Sequence, residues 1–358
     1  MTRLVYTDHR ENPRAWAEAL GISHQAVDIY LSTDVIDLHV DSFIWNRSFG
    51  YDLTRRHGMG CFRARLYGHA DFPRMREAQV SGAVWSITTN PLRAPSRRGA
   101  VLTRNLERIC TLFASVDDSY CVVRSAAEYR QARARGLHGA FLAIQGGNAL
   151  PNPDAVALFA DGRILRITLV HLTSSWIGGT SSPLGRGSEV GLTEAGRELV
   201  CRLDAQRILV DLAHVSRRGF WDAVESHDPS LPVAVTHTGV CGVHPHWRNL
   251  DDDQLRAVAN TGGTVGIIYH TEFLGASLHR VSAEAIVQHL AHVVDTVGDD
   301  HASLGSDWDG AIVTPRDMPT CLELPRLVQL MLDRGWKEDR IRKILGGNFL
   351  RVVGALRG

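Results

Sequence analysis

Long apolar runs are missing from this chain: no stretch approaches the roughly 18 consecutive apolar residues that a bilayer-spanning helix needs. The first residues, Met1 to Arg10, turn charged at once and contain no apolar run of the kind that marks a secretory signal. Neither sign of charge is in excess, since 39 Lys+Arg balance 39 Asp+Glu, so there is no basic field for nucleic acid or an anionic membrane. The six cysteines form no CxxC pair, and they read as reduced, mostly buried thiols rather than a disulfide framework. The glycine fingerprint of a dinucleotide fold is also absent, because Gly146-Gly147 lacks the G-x-G-x-x-G spacing. These absences point to a cytoplasmic protein with neither nucleic acid nor membrane as partner. What the chain has in quantity is histidine, 17 among 358 residues, within an ordinary globular mix of 44% hydrophobic residues.

Short apolar runs alternate with amphipathic segments. Eight such runs stand out: Val35–Asp41, Ala83–Ile87, Ala140–Ile144, Leu165–Val170, Ile208–Leu212, Val233–Thr236, Thr264–Ile268 and Ala302–Gly305. Between them lie helical patterns. Ser282 reads as an N-cap, after which Ile286, Leu290, Val293, Val294 and Val297 recur on one face, and Asp251 or Asp252 opens a helix that closes at Gly262-Gly263. Eight strands with interleaved helices predict a (β/α)8 TIM-type barrel, with a doubly wound open sheet as the alternative. The whole chain, residues 1–358, reads as one barrel domain, with an N-terminal helical extension over residues 1–33 and a C-terminal helical tail.

Metal-competent residues follow the apolar runs: His39 and Asp41, Gln145, His171, His214, His237 and Asp307. In a barrel the C-terminal ends of all strands meet on one face, so these residues are expected in one pocket. Imidazoles with carboxylates suit zinc or a similar divalent ion that activates water. By contrast, His289 and His292 read as a solvated helix face, His244-Pro245-His246 as a pocket rim, and Leu184–Glu189 as a loop that could act as a lid.

The motifs Asp37-Leu38-His39-Val40-Asp41, Ile144-Gln145-Gly146-Gly147, Leu169-Val170-His171, Asp211-Leu212-Ala213-His214, Thr236-His237, Arg248-Asn249 and Gly305-Ser306-Asp307-Trp308-Asp309-Gly310 occur in one order. With Leu345-Gly346-Gly347-Asn348-Phe349 they make the chain resemble the membrane (renal) dipeptidase family of zinc peptidases, from about Asp37 to Val353. The resemblance implies hydrolysis of a dipeptide or dipeptide-like amide by a metal-activated water. It implies one zinc at His39 and Asp41, a second at His214 and His237, and a bridging glutamate whose place is taken here by Gln145. It also implies that His171 contacts the substrate, that Arg248 clamps its carboxylate, that Asp307 handles the proton passed to the leaving amine, and that the protein is a homodimer. The family's tyrosine near the seventh strand falls on Tyr269 or His270. Because an amide cannot replace the bridging charge, one weakly held ion or none is expected in place of a zinc pair. The alternative is a degenerate family member that binds a peptide-like ligand or catalyses a different, biosynthetic reaction.

Overall fold

The computed structural model describes residues 2–60, 63–90, 93–183, 189–277 and 280–358. Nine strands form: β1 (Ile36–Val40), β2 (Gly82–Thr88), β3 (Tyr120–Val122), β4 (His138–Gln145), β5 (Ile164–Thr168), β6 (Leu209–Asp211), β7 (Ala234–Thr238), β8 (Thr264–Ile267) and β9 (Ala302–Leu304). Eight close into a parallel barrel in the order β1-β2-β4-β5-β6-β7-β8-β9, with β9 returning to β1. The expected (β/α)8 barrel is therefore present, and each of the eight apolar runs supplies a stave.

The ninth strand, β3, was not expected. It pairs with His138–Ala140 at the start of β4, along the edge that β5 takes over from Leu142 onward. Its three residues, Tyr120-Cys121-Val122, are too few for strand periodicity to show.

The strands are buried on both faces, as a barrel wrapped in helices requires. Outside it, Phe349, Val352, Val353 and Leu356 of the last helix (Asn348–Arg357) pack in one cluster with Phe141, Leu165 and Leu209 of the strands. Each such side chain contributes about 1.5–3 kcal/mol on burial. Two helices, Pro13–Leu20 and His24–Leu31, make up the N-terminal extension, and Pro325–Asp333 and Glu338–Arg342 begin the C-terminal tail.

Asp251 caps the helix Asp252–Asn260 through a capping box with Gln254. The helix Ala283–Val297 follows Ser282 as expected, but the Ser282 side chain makes no cap bond; Asp317, remote in sequence, accepts from Ala283 N at 2.8 Å instead. Two expectations are corrected. His289 is not solvated but fully buried, accepting from Val240 N at 2.9 Å, because its helix packs that face inward; half-buried His292 contacts Asp252 at 2.7 Å. Among the described cysteines only Cys321 is buried, while Cys110, Cys121 and Cys241 are half-buried and Cys201 is exposed. Of the loop read as a lid, residues 184–188 lie outside the described residues. Among the described residues no helix is long and apolar enough to cross a membrane.

Candidate metal centre

Barrel closure brings the strand-end residues together. β1 carries His39, Asp41 follows one residue past its end, β4 ends on Gln145, and β7 carries His237. His171, His214 and Asp307 lie just beyond the ends of β5, β6 and β9. His214 and Asp307 adopt left-handed backbone angles, φ 65° and φ 62°, a conformation that costs a non-glycine residue about 1–3 kcal/mol and clusters at functional sites. Hydrogen bonds hold both in place: Asp307 N donates to His39 O at 3.0 Å, and Ser181 N donates to His214 O at 2.8 Å.

A cavity of about 600 Å³ opens over this point, lined by Asp41, Gln145, His171, His214 and Asp307 among others. Trp45, Phe49, Leu172 and Phe273 give it apolar walls. Beneath lie His39 and His237, fully buried, their rings stacked with centroids 3.9 Å apart. His39 Nε2 sits 3.4 Å from Asp41 Oδ1 and 3.6 Å from Asp307 Oδ1, with no hydrogen-bond partner of its own. His39, His237 and Asp307 each bring a ligand-type atom to within 4.8 Å of the others. His214 Nε2 and His237 Nε2 are 2.8 Å apart, a separation at which two ring nitrogens share a proton.

Gln145 is held between these groups. Its Oε1 accepts from Thr88 Oγ1 at 3.0 Å, and its Nε2 lies 3.1 Å from His214 Nε2 and 3.3 Å from His237 Nε2. The Thr88 hydroxyl also donates to Asp41 Oδ1 at 2.6 Å.

Burial sets the charges. It pushes the Asp307 carboxyl well above the carboxylate range, with Asp41 adding repulsion. It lowers His171 to about 4 and holds His214 and His237 well below the usual imidazole value, so all three are neutral near pH 7. Burial works against the Asp41 carboxylate as well, yet adjacent His39 and Thr88 keep it below its ordinary value.

All seven strand-end residues thus meet at one place. Arg248, in the loop after β7, is buried beside them rather than on the cavity wall; its Nη2 donates to His237 O at 2.7 Å while its Nε has no partner. Burial lowers it to about 10, still cationic at neutral pH. Of residues 269 and 270, His270 lines the cavity and Tyr269 turns into the core against Trp308. His246 packs on the cavity residue Phe273 with ring centroids 4.7 Å apart, in keeping with a rim position. Sequence reasoning missed Arg166, which enters the floor of the centre from β5. The signal was a charged residue inside an otherwise apolar stave, a rare placement unless the charge is paired.

A family model described as membrane dipeptidase (peptidase family M19) matches residues 23–357. An uncharacterized protein in the pqqA 5' region of Klebsiella pneumoniae is 36% identical over 166 residues, which cover 46% of this chain and 60% of that one. Dipeptidase aclJ of Aspergillus oryzae is 26% identical over 331 residues, covering 89% of this chain and 77% of that one. A metallopeptidase from Rhodobacter sphaeroides, solved with a phosphinate mimic of the dipeptide L-Ala-D-Ala, superposes with a TM-score of 0.78 at 26% identity, covering 90% of this chain and 98% of that one.

Proposed function

The chain belongs to the membrane dipeptidase family, peptidase family M19, and from that membership we propose that it hydrolyses the amide bond of a dipeptide or dipeptide-like molecule, with one divalent cation, zinc, in its pocket. The observation that carries this reading is the convergence of His39, His237 and Asp307 on one buried point beneath a cavity of about 600 Å³, a volume within the range of small-molecule sites. The dipeptide mimic bound by the Rhodobacter sphaeroides relative supports the substrate class.

The residues present fit one cation better than two. His214 and His237 offer paired ring nitrogens, and Asp307 brings a carboxyl oxygen close to His237. A second ion would need an anion between the two, and Gln145 supplies only a neutral amide there. When bound, such an ion acidifies water and polarises a carbonyl.

The chain's own residues do the rest. Arg248, buried beside the cavity and cationic, fixes the substrate's terminal carboxylate, a task suited to a planar guanidinium. His171, neutral and on the cavity wall, hydrogen-bonds the reacting carbonyl region. Asp307, its carboxyl on the cavity wall, is the group that handles the proton passed from water to the leaving amine. The apolar walls exclude bulk water and receive the side chains. The same reading takes residues 1–358 as one domain of a cytoplasmic homodimer.

A panel of dipeptides with free and amidated C-termini, assayed with zinc restored after chelation, tests the proposal. Slow cleavage confined to free-carboxylate substrates, lost on chelation, is expected. No cleavage of any member by either the enzyme or its Gln145→Glu variant would overturn it.

A further inference from the structure

Arg166 is fully buried, and four of its five N–H groups are committed. Nη1 donates to Thr168 Oγ1 at 2.5 Å and to Asp211 Oδ2 at 2.6 Å. Nη2 donates to Ser86 Oγ at 2.8 Å and faces His39 Nδ1 at 2.9 Å. A guanidinium has no lone pair to offer, so at this last contact His39 Nδ1 is the acceptor. The Ser86 hydroxyl, itself accepting from Arg166, has its hydrogen left for the same nitrogen at 3.3 Å. Neutral His39 therefore carries its proton on Nε2, the atom between Asp41 and Asp307.

The stacked partner His237 is wired the opposite way. Thr236 Oγ1 donates to Asp211 Oδ2 at 2.8 Å, which leaves its oxygen to accept from His237 Nδ1 at 2.9 Å. With its proton on Nδ1, His237 presents a lone pair at Nε2. Asp211 stands behind both arrangements, through Arg166 on one side and Thr236 on the other.

We propose that Arg166 limits this centre to a single divalent cation by occupying the Nδ1 lone pair of His39, which leaves Nε2 protonated, facing Asp41 and Asp307 at 3.4 and 3.6 Å, with no lone pair to offer a metal. The Nε2–H lies between the two carboxyl groups, where a second cation would otherwise be held. His237 and Asp307 remain to hold the ion, with His214 beside His237. Arg166 is thus a positioning residue, acting on the metal through His39. This rests on the one-cation reading above but not on turnover of any dipeptide.

Long-range 1H–15N correlation spectra of the zinc-loaded, histidine-labelled full chain at neutral pH test the wiring, with His39→Gln and His237→Gln assigning the signals. The expected pattern is Nε2–H for His39 and Nδ1–H for His237; an Nδ1–H tautomer at His39 would overturn the proposal. Titration with zinc chloride gives an independent readout. One ion per chain is expected for the unaltered protein and for Gln145→Glu, and two for Gln145→Glu combined with Arg166→Met. Two ions in Gln145→Glu alone, or one in a folded double variant, would equally overturn it. If the double variant fails to fold, the spectrum of the unaltered chain decides. Absent dipeptide hydrolysis would move neither readout, so failure of the functional reading remains distinguishable.

Discussion

Gly310 leaves the room in which the Asp307 carboxylate sits: a Cβ at position 310 would lie 2.2 Å from Asp307 Oδ1. Gly310 N also donates to Asp307 O at 2.9 Å, closing the turn that sets the left-handed backbone of Asp307. Gly310→Ala should therefore push the carboxylate out of the centre. Zinc affinity and kcat/KM are both expected to fall at least about tenfold, equivalent to roughly 1.4 kcal/mol, while the melting temperature changes little. Calorimetric titration beside a thermal melt checks this. Unchanged zinc affinity would remove Asp307 from the ligand set.

Arg248 tests the substrate side. Its anchor to His237 O fixes the guanidinium, and its charge lies buried beside the cavity. Arg248→Ala should lower kcat/KM on free-carboxylate dipeptides by a factor equivalent to about 2–4 kcal/mol, the scale of a lost buried charge contact. Steady-state kinetics on one dipeptide suffice. If the variant matches the parent enzyme, the carboxylate is read elsewhere in the pocket.

The barrel was legible because its staves are continuous apolar runs, and burial on both faces leaves no other pattern for parallel strands. The centre was legible for a related reason: polar residues such as His39 and Gln145 end those runs, and barrel closure alone brings them to one face. What escaped were features that depend on packing between distant segments. Burial of His289 follows from the angle at which its helix meets the loop at Val240, and the cap on Ala283 comes from Asp317. Arg166 was visible as a charge within a strand, yet its partners Ser86, Asp211 and His39 lie on three other strands or their ends. No local spacing could have named them.

Gln145→Glu separates charge from shape. Thr88 Oγ1 donates both to Gln145 Oε1 at 3.0 Å and to Asp41 Oδ1 at 2.6 Å, so a carboxylate at position 145 would share one hydroxyl with another carboxylate. Without metal the variant should melt at a lower temperature than the parent, because like charges are buried together. With zinc the order should reverse, since the added anion binds the ion more tightly, and dipeptide hydrolysis should rise. Melting curves with and without zinc give the test. A variant less stable under both conditions would show that position 145 does not face the ion.

A last prediction concerns stability against pH, away from the pocket. His227 Nδ1 lies 2.8 Å from Asp204 Oδ1, and its Nε2 contacts Leu231 O at 2.7 Å, so both ring nitrogens face acceptors. Burial alone would lower the imidazole pKa, but Asp204 and the Leu231 carbonyl outweigh it, and the group is held above its ordinary value. A histidine whose pKa is raised on folding binds its proton more tightly in the native state. The resulting stabilisation is fully present below the unfolded value of about 6.5 and disappears as pH rises through the folded value. Asp204→Asn keeps the shape and removes the charge. The stability lost in this variant should be greatest near pH 6, of order 1–2 kcal/mol for a hydrogen bond to a charged group, and should shrink steadily toward pH 9. Urea unfolding at several pH values measures the gap between the two proteins, and a gap independent of pH would mean that His227 stays neutral in the folded chain.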